Sequence, residues 1–535
     1  MGKYNRPEII RSKPSYLRNF SIDKFNSQPK ETIAIIDYGV PSEKFSQEFA
    51  GESIDISPNK NIHIGVFRDI ESKMAFHRFS WLNQPTTKVD PSWVAKLWSY
   101  WVSQYGNNQD GLAWQTYTSS ERLINLVKFF VANGVPNSQP DTVSILSKHG
   151  QHIFDNLEYY GPGQTGNHFL NNGRCLYIAG ILLGIDSWIE VGKEIIINES
   201  KNLFNTSGEL REGSVHYHLL ITSWCLECWL IANAQSREEE QQFFRVIPKA
   251  LSAVSFFDMP AGLPLIGDVS PDCTPSFLYS LLNGESSGWL LRQDAGKHKT
   301  VKDLINKNKR DPEARCLDDW SRFDQKPWSV IWSKFRDGWQ PYPGHAHMDF
   351  GSFEMHFRKE KIFIDLGRRS YGPKGDVDRL AISHNVLLID GQPAYPENRA
   401  YYCTEFREYI SGPPPVWEST HDMVSLFSKS FSRIKGVKYW TRNWQFSEKK
   451  VSILDEVSGE GLRRIDRYFH TPSHPKVVGN EIIVGPVKLV GAQGAQISET
   501  IYWFSYGKGQ KAYTIKLSTY AQLPFKGVIN ILPKL

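Results

Sequence analysis

The hydrophobic pattern divides the chain into two parts that predict different structures. From about residue 91 to about 320, apolar residues recur at helical spacing in successive segments, with Gly, Pro or Asn between them. Three of these segments read SWVAKLWSYWVSQY, SSERLINLVKFFVANG and GSVHYHLLITSWCLECWLIA. Because the connections are short, roughly eight to ten helices are expected as antiparallel hairpins, stacked or closed into a toroid.

The pattern beyond about residue 320 is that of short strands. Runs such as GSFEMHFRKEKIFIDLG, HNVLLIDGQPAY and KVSILDEVSG are rich in β-forming residues and are separated by turn residues. They predict an antiparallel sheet or sandwich over 321–535, after a toroid over 91–320 and an N-terminal arm over 1–90. The predicted fold class is therefore multidomain α+β, and a cleft between its two large domains is a favoured binding site.

Charge and composition narrow the class of protein. The chain has 62 Lys and Arg against 57 Asp and Glu, and this net charge of +5 is too small for a protein that coats nucleic acid. No apolar run reaches the roughly 18 residues of a membrane-spanning helix. Six cysteines give no disulfide framework, and Cys225 and Cys228 are interpreted as buried helical residues. The polar start has no apolar signal-peptide core, so we expect a cytoplasmic protein, or a periplasmic one if a signal was removed.

The first of three polar stretches runs from Thr165 to Asn172, at the mouth of a predicted helix. Asn167 and His168 are adjacent hydrogen-bonding residues in a Gly-flanked turn, and Asn171 follows Asn167 by one helical turn. These side chains could bind a substrate. A helix cap made by asparagine explains the same residues, and for this stretch alone the cap is the simpler interpretation.

The second stretch runs from Arg211 to His218 and also opens a helix. Ser214 is a candidate N-cap, and Tyr217 lies among histidines and near Arg211. These neighbours could lower the phenolic pKa of Tyr217 enough for proton transfer. Packing of tyrosine and histidine at a domain interface explains the stretch equally well.

The third stretch begins at Gly344 and carries a His-x-His motif. If it forms a strand, His345, His347 and Asp349 lie on one face. Three polar groups on one strand face need a partner, such as a metal ion, a substrate or each other. Asp365 and His384 would complete a zinc shell, although such distant ligands make the spacing a weak signal on its own.

Taken in this order, these stretches resemble the heparinase II/III family of polysaccharide lyases. The resemblance rests on GNHFLNNG, EGSVHYH, GHAHMDFGSFE with FIDLG, and RLAISHNVLLIDG, and WQTYTSSERLINLVKFF and LPLIGDVSPD are also similar to family segments. It extends from about residue 95 to 400. It implies an incomplete (α/α) toroid followed by a large antiparallel sheet domain, in agreement with the hydrophobic pattern. It also implies cleavage of uronic-acid-containing polysaccharides by β-elimination.

The resemblance assigns roles to the polar residues. Asn167 and His168 match positions that engage and neutralise the substrate carboxylate. Tyr217 matches the general acid, or acid and base, and His345 matches the catalytic histidine. Tyr371 lies near a second tyrosine that some alginate-lyase relatives use.

The resemblance also implies one mainly structural metal ion, which we expect to be zinc. The matching ligands are His347, Asp365 and His384. The 18 residues between Asp365 and His384 are fewer than in some secreted lyases, so one substrate-facing loop should be shorter.

An acidic polysaccharide or oligosaccharide is the expected substrate, and basic residues are candidates to bind it. The candidate substrate-binding residues are Arg122, Asn171, Arg211 and Arg369, with Arg174 and Arg368 as further candidates. Asn171 stands where one secreted heparinase subtype has a glutamate.

The assigned residues suit β-elimination. Neutralising the carboxylate of a uronate stabilises the enolate that forms when the C5 proton leaves. Tyr217 or His345 would remove that proton, and Tyr217 can protonate the leaving O4. Two alternatives remain: a glycan hydrolase or modifying enzyme of bacterial surface-polysaccharide biosynthesis, and a non-catalytic glycan-binding assembly factor.

Overall fold

A computed structural model describes residues 13–20, 25, 27–60, 62, 64–83, 89–107, 109–161, 165–311, 314–339, 344–397 and 402–534. Its helices are α1 (Ile70–Arg78), α2 (Pro91–Tyr105), α3 (Thr116–Asn133), α4 (Thr142–Asp155), α5 (Asn167–Leu183), α6 (Asp186–Leu203), α7 (Val215–Ala234), α8 (Glu240–Phe244), α9 (Ile247–Phe256), α10 (Ser280–Asn283), α11 (Gly288–Leu291), α12 (Ala295–Lys307) and α13 (Thr404–Ser411). None of these helices has the length and apolar character required to cross a bilayer.

Small residues and caps explain where the central helices lie. Ser214 caps α7, because its hydroxyl accepts a hydrogen bond from the Tyr217 backbone N–H, as predicted. Helices α5 and α6 approach so closely that a Cβ on Gly192 would lie 2.5 Å from the Tyr177 nitrogen. Cys225 and Cys228 are buried free cysteines of α7, which confirms their predicted role.

The described part of residues 1–90 is not a separate arm. Strands β2 (Phe45–Phe49) and β3 (Glu52–Ile56) form a hairpin, and α1 packs against α3. Phe49, Phe76 and Trp81 belong to the same buried hydrophobic cluster as the helical domain. Aromatic and aliphatic residues spaced irregularly before residue 91 therefore complete the helical core, which helical periodicity alone did not predict.

The second half is built from antiparallel sheets, as predicted. Its strands are β5 (Trp320–Gln325), β6 (Trp328–Ser333), β7 (Glu354–Phe357), β8 (Glu360–Phe363), β9 (Leu387–Ile389), β10 (Val416–Ser419), β11 (Met423–Ser428), β12 (Val437–Ser447), β13 (Lys450–Gly459), β14 (Leu462–Thr471), β15 (Lys476–Val478), β16 (Glu481–Val484), β17 (Val487–Val490), β18 (Gln496–Ser505), β19 (Lys508–Gln522) and β20 (Phe525–Pro533). The short strands β1 (Ile35–Ile36) and β4 (Val135–Pro136) pair in the first half.

The strands of the second half form three sheets around one core. The orders are β5-β6-β7-β8, β18-β19-β14-β9 and β10-β11-β12-β13-β20-β17-β16-β15. Their inner faces bury a second hydrophobic cluster that includes Trp332, Trp440 and Trp444. Alternating buried and exposed positions along β12 and β13 match the period of a sheet with one face on the core.

The two domains meet along the loop that carries the His-x-His motif. Residues 344–350 form no strand, and β7 begins only at Glu354. The His345 N–H donates to the Glu212 carbonyl at 2.7 Å, and the His345 carbonyl accepts from the Asp268 N–H at 2.9 Å. The loop is therefore paired with the helical domain, and this pairing places the His-x-His motif at the domain interface.

Candidate functional site

Asn167 is the first residue of α5, and its side chain points away from the helix it starts. The N-cap position is Gly166, and the Asn167 backbone N–H donates to Glu212 Oε1 at 3.0 Å. The Asn167 amide Nδ2 lies 3.1 Å from His345 Nε2 in the other domain. The structure therefore does not use Asn167 as a cap, and its amide joins the two domains.

His345 is held on three sides. Its Nδ1 lies 3.0 Å from Asp268 Oδ2, and its Nε2 lies 3.4 Å from Glu212 Oε2. Its ring stacks on the Tyr217 ring, with centroids 3.5 Å apart and planes 14° from parallel. In the tautomer that carries the ring proton on Nδ1, the ring donates to Asp268 and Nε2 can accept a hydrogen bond from the Asn167 amide. His345 is thus oriented to accept a proton at Nε2.

Two tyrosines, Tyr217 and Tyr371, meet beside His345. Their hydroxyl oxygens are 2.7 Å apart. Burial raises the pKa of Tyr217 well above its ordinary value, and the carboxylates of Asp268 and Asp272 raise it further. Burial and the adjacent Tyr217 also raise the pKa of Tyr371 well above its ordinary value. The prediction of a lowered phenolic pKa is therefore wrong, and both tyrosines are proton donors at neutral pH.

His168 lies next to Asn167 and is more accessible. Its side chain is 49 % exposed, and its Nδ1 lies 3.0 Å from Glu158 Oε1. Its ring lies against the ring of Tyr117, with centroids 4.4 Å apart. Partial burial lowers the pKa of His168, but the Glu158 carboxylate outweighs it, so the pKa is raised above its ordinary value. The contact with Glu158 therefore favours the protonated, cationic form of His168 at the edge of the site.

Asp268 connects the two histidines of the His-x-His motif. Its Oδ2 accepts from His345, and its Oδ1 accepts from His347 Nε2 at 2.8 Å and from Arg368 at 2.5 Å. Burial would raise the pKa of Asp268, but Arg368 and the two histidines hold it well below its usual range. Its neighbour Gly267 has φ +82°, and a Cβ there would lie 2.6 Å from the Gly213 carbonyl oxygen.

Three acidic residues organise this site and were not predicted from the sequence. These are Glu158, Glu212 and Asp268. Asp268 and Glu212 lie in LPLIGDVSPD and EGSVHYH, segments already singled out for their resemblance, so a buried acid in each was the available signal. Nothing in the sequence indicates that Glu158 meets His168.

The predicted metal ligands lie together. Ligand atoms of His347, Asp365 and His384 fall within 4.8 Å of one another, and all three residues are buried. His347 Nδ1, His384 Nε2 and one Asp349 oxygen are buried without a hydrogen-bond partner. Unpaired buried nitrogen and oxygen atoms are costly unless something binds them, and imidazole with carboxylate is a zinc-binding set. The donor set therefore fits a metal ion.

Two predicted substrate-binding residues lie in the protein core. Arg122 is fully buried, its guanidinium lies over the Trp101 ring at 3.9 Å, and it donates to His149 Nε2 at 2.9 Å. Asn171 is also fully buried, and its amide donates to Glu121 at 2.8 Å. Because both side chains are enclosed and already paired, the structure corrects these two assignments to structural roles.

The four other candidate arginines divide into two buried and two partly buried residues. Arg174 is buried in ion pairs with Glu121 and Glu227, and Arg368 is buried against Asp268. Arg211 and Arg369 are only partly buried. Arg211 donates to the Thr165 carbonyl, and the Arg369 guanidinium lies 4.7 Å from the Trp503 ring centroid. Arg211 and Arg369 stay substrate-binding candidates.

Fold and site together define a two-domain protein with a cluster of histidine, tyrosine and carboxylate side chains at the domain interface. The sequence matches the family model "Heparinase II/III N-terminus" over residues 4–283. It matches the model "Heparinase II/III-like, C-terminal" over residues 319–522. The chain therefore belongs to the heparinase II/III family, which confirms the resemblance found in the sequence.

Individual relatives are distant. A heparin-sulfate lyase from Bacteroides thetaiotaomicron is 23 % identical over 382 residues, which are 60 % of this chain and 52 % of that protein. The chain thus spans about half the length of this curated relative. The crystal structure of heparinase III has a TM-score of 0.63 at 17 % identity, covering 90 % of this chain and 81 % of the other. The structure of a heparan sulfate lyase from Pedobacter heparinus has a TM-score of 0.54 at 16 % identity, covering 90 % and 79 %. These likenesses confirm the predicted toroid and sheet domains.

Proposed function

We propose that the protein is a polysaccharide lyase that cleaves a uronic-acid-containing polysaccharide by β-elimination. The observation that carries the proposal is the stacked pair of Tyr217 and His345, each positioned by buried partners and lying beside Asn167. One ring offers an accepting nitrogen and the other a protonated hydroxyl, which are the base and the acid that elimination requires. Membership of the family and the likeness to a heparin-sulfate lyase support the same reaction.

The substrate carboxylate is recognised by Asn167 and His168. The Asn167 amide, which lies 3.1 Å from His345 Nε2 when no substrate is bound, turns to the carboxylate and leaves Nε2 free. The cationic His168 ring neutralises the carboxylate. As the C5 proton leaves, negative charge moves onto this carboxylate, so the same two contacts strengthen in the transition state.

Proton transfer follows from the orientations of the rings. His345 Nε2 takes the C5 proton, the C4–C5 double bond forms, and the C4–O4 bond breaks. Tyr217 gives its hydroxyl proton to O4, and its high pKa favours this acid role over that of a base. The phenolate then regains a proton from the His345 imidazolium, which restores both groups. Tyr371, with its hydroxyl 2.7 Å away, stabilises the transient phenolate by donating a hydrogen bond.

We also propose that the buried donors His347, Asp365 and His384 hold one zinc ion. The ion would join the loop that carries His345 to the segment after β8 and to the segment before β9. It would thereby hold the edge of the sheet domain in place beside the site. His347 would then keep its second nitrogen on Asp268. This contact couples the orientation of the metal ligand to that of His345.

The reaction is tested by incubating the protein with heparan sulfate, chondroitin, hyaluronan, alginate and glucuronan. A lyase releases unsaturated ends, which absorb in the ultraviolet. Tyr217→Phe should lower kcat by about 10²- to 10⁴-fold. Tyr520→Phe, at a 70 % exposed position of the sheet domain, is the matched control and should keep full activity. Products that gain water and carry no double bond would identify a hydrolase instead, and absence of any product from the folded, metal-loaded protein would contradict an enzymatic role.

A further inference from the structure

Glu158 is a buried acid that meets the edge of the candidate site from the segment after α4. Its side chain is 4 % exposed, and Oε1 lies 3.0 Å from His168 Nδ1. Its second oxygen, Oε2, accepts from the Asn172 side-chain Nδ2 at 3.2 Å, and its backbone N–H donates to the Asn172 side-chain Oδ1 at 3.0 Å. Asn172 also donates to the Ser120 hydroxyl of α3 at 3.1 Å. The carboxylate is therefore fixed between two helices and cannot turn to solvent.

His168 is positioned by one hydrogen bond and one ring contact. One face of its ring lies against Tyr117, whose hydroxyl is itself bound to Asp272 at 2.6 Å. Because Nδ1 is bound to Glu158 and the side chain is half exposed, Nε2 is the ring nitrogen left to contact a ligand. The ring has one nitrogen for the buried acid and the other for a ligand.

We propose that Glu158 is a positioning residue that keeps His168 as an imidazolium, so that the site selects substrates with a free, ionised carboxylate. This inference rests on the proposed function, because it names the form of uronate which that site accepts. A neutral ring that donates its Nδ1 proton to Glu158 has no proton on Nε2, so it could donate no hydrogen bond to a carboxylate or to its methyl ester; protonation of Nε2 supplies that hydrogen bond. An imidazolium binds the anion by charge as well, and it also shields that anion from Glu158.

The other charged groups near His168 do not reverse the effect of Glu158 on its protonation. The Arg78 guanidinium opposes protonation, and Glu212 favours it. Arg78 is itself neutralised by Glu71 and Asp272 at 3.0 and 2.7 Å, which limits its influence. The raised pKa of His168 means that the imidazolium is complete at acid pH and is lost as the pH rises through that value.

The test compares Glu158→Gln with the wild type, because glutamine keeps the shape of glutamate and removes its charge. The His168 titration is followed by NMR of ring-labelled histidine and assigned with His168→Gln. We expect the His168 pKa to fall in Glu158→Gln. In kinetics with the uronate polymer that the wild type cleaves, KM should rise about tenfold at neutral pH, with a smaller change in kcat. The activity loss on the alkaline side should begin at lower pH.

Specificity gives a readout that a purely structural role would not move. The wild type should prefer the free acid over the methyl ester of the same polymer, and Glu158→Gln should lose most of that preference. Glu158→Asp, which restores the charge, should recover part of it. Glu239→Gln is the control, because Glu239 is a buried acid of the same domain, hydrogen-bonded to Tyr177 at 2.6 Å, and it makes none of the site contacts described above. It should leave both KM and the ester preference unchanged.

Three results would overturn the inference. One is an unchanged His168 titration in Glu158→Gln, the second is a loss confined to kcat, and the third is an unchanged ratio between acid and ester. The titration needs no turnover, and binding of acid and ester can be compared on Tyr217→Phe. Failure of the lyase reaction in the wild type would therefore contradict the proposed function, while the titration and binding data would still decide the role of Glu158.

Discussion

Replacing Asp268 with asparagine tests the core of the proposed mechanism, because this carboxylate is shared by three donors. Its Oδ2 accepts from His345 Nδ1, and its Oδ1 accepts from His347 Nε2 and Arg368. Asparagine has nearly the same shape but offers only one accepting oxygen. Arginine can only donate, so the amide oxygen must take the Oδ1 position. The amide NH2 group then faces His345 Nδ1.

This arrangement reverses the protonation of His345. With an NH2 group opposite it, Nδ1 must accept, and the ring proton moves to Nε2, where the base is required. Loss of a general base lowers kcat by about 10²- to 10⁴-fold. The charge of Arg368 also loses its partner in a buried site, and breaking a buried ion pair costs about 3 to 5 kcal/mol of the free energy of unfolding. We therefore expect both a slow enzyme and a lower melting temperature.

The assay separates these two effects. Initial rates are followed by the ultraviolet absorbance of the product, thermal unfolding by circular dichroism, and the His345 tautomer by ¹⁵N NMR. Glu227→Gln is the matched control, because it breaks the buried pair with Arg174, 2.8 Å apart, away from the reacting groups. It should lower the melting temperature and leave kcat within a few-fold. An Asp268→Asn enzyme that keeps kcat within tenfold, with the proton still on Nδ1 of His345, would refute the reasoning.

Three further measurements address stability, metal and substrate. Burial would raise the pKa of Glu227, but Arg174 and Lys128 lower it to about 2. Its ion pairs therefore add about 3 kcal/mol to the free energy of unfolding above pH 4.5, and this contribution is lost as the pH falls toward 2. The acid-unfolding curve of Glu227→Gln should lack this pH dependence, and a curve equal to that of the wild type would contradict the prediction. Elemental analysis should find one zinc per chain, and chelation should lower the melting temperature; a metal-free protein with the same melting temperature would remove the zinc proposal. Arg369→Ala should raise KM in a salt-dependent way with kcat nearly constant. Arg122→Ala should instead destabilise the fold and leave the KM of the folded fraction unchanged. A raised KM with unchanged stability in Arg122→Ala would contradict the reassignment of Arg122 to the core.

Periodicity predicted the helices and strands where one face of each element meets a core. The segments of α2 to α7 were found in this way, and so was the change of pattern that precedes β5 at Trp320. The alternation of His345, His347 and Asp349 would suit a strand, but residues 344–350 form a loop that pairs with the helical domain, because alternation alone does not distinguish the two. Periodicity missed the packing of residues 45–83 into the helical core, where irregular spacing leaves no periodic signal.

For single site residues too, the sequence predicts less than the structure shows, because it does not reveal their burial or their partners. The resemblance to the heparinase II/III family implied that Asn167, Tyr217 and His345 act together, and the structure brings them into contact across a long sequence separation. Their assigned roles stay predictions until they are measured. The sequence could not show that Arg122 lies over a tryptophan ring in the core, or that Glu158 lies under His168, because burial and partners are set by tertiary contacts.

The pairing of the His345 loop with the helical domain bears on how the chain is made. The ribosome completes the segment containing Asn167 and Tyr217 well before it adds His345, and domains generally fold in order of synthesis. The first domain therefore emerges with the proposed acid but without the proposed base. The two backbone hydrogen bonds of His345, to Glu212 and Asp268, form only when the second domain docks. A nascent chain could thus meet an acidic glycan without cutting it, and the chemistry would begin only with the finished molecule.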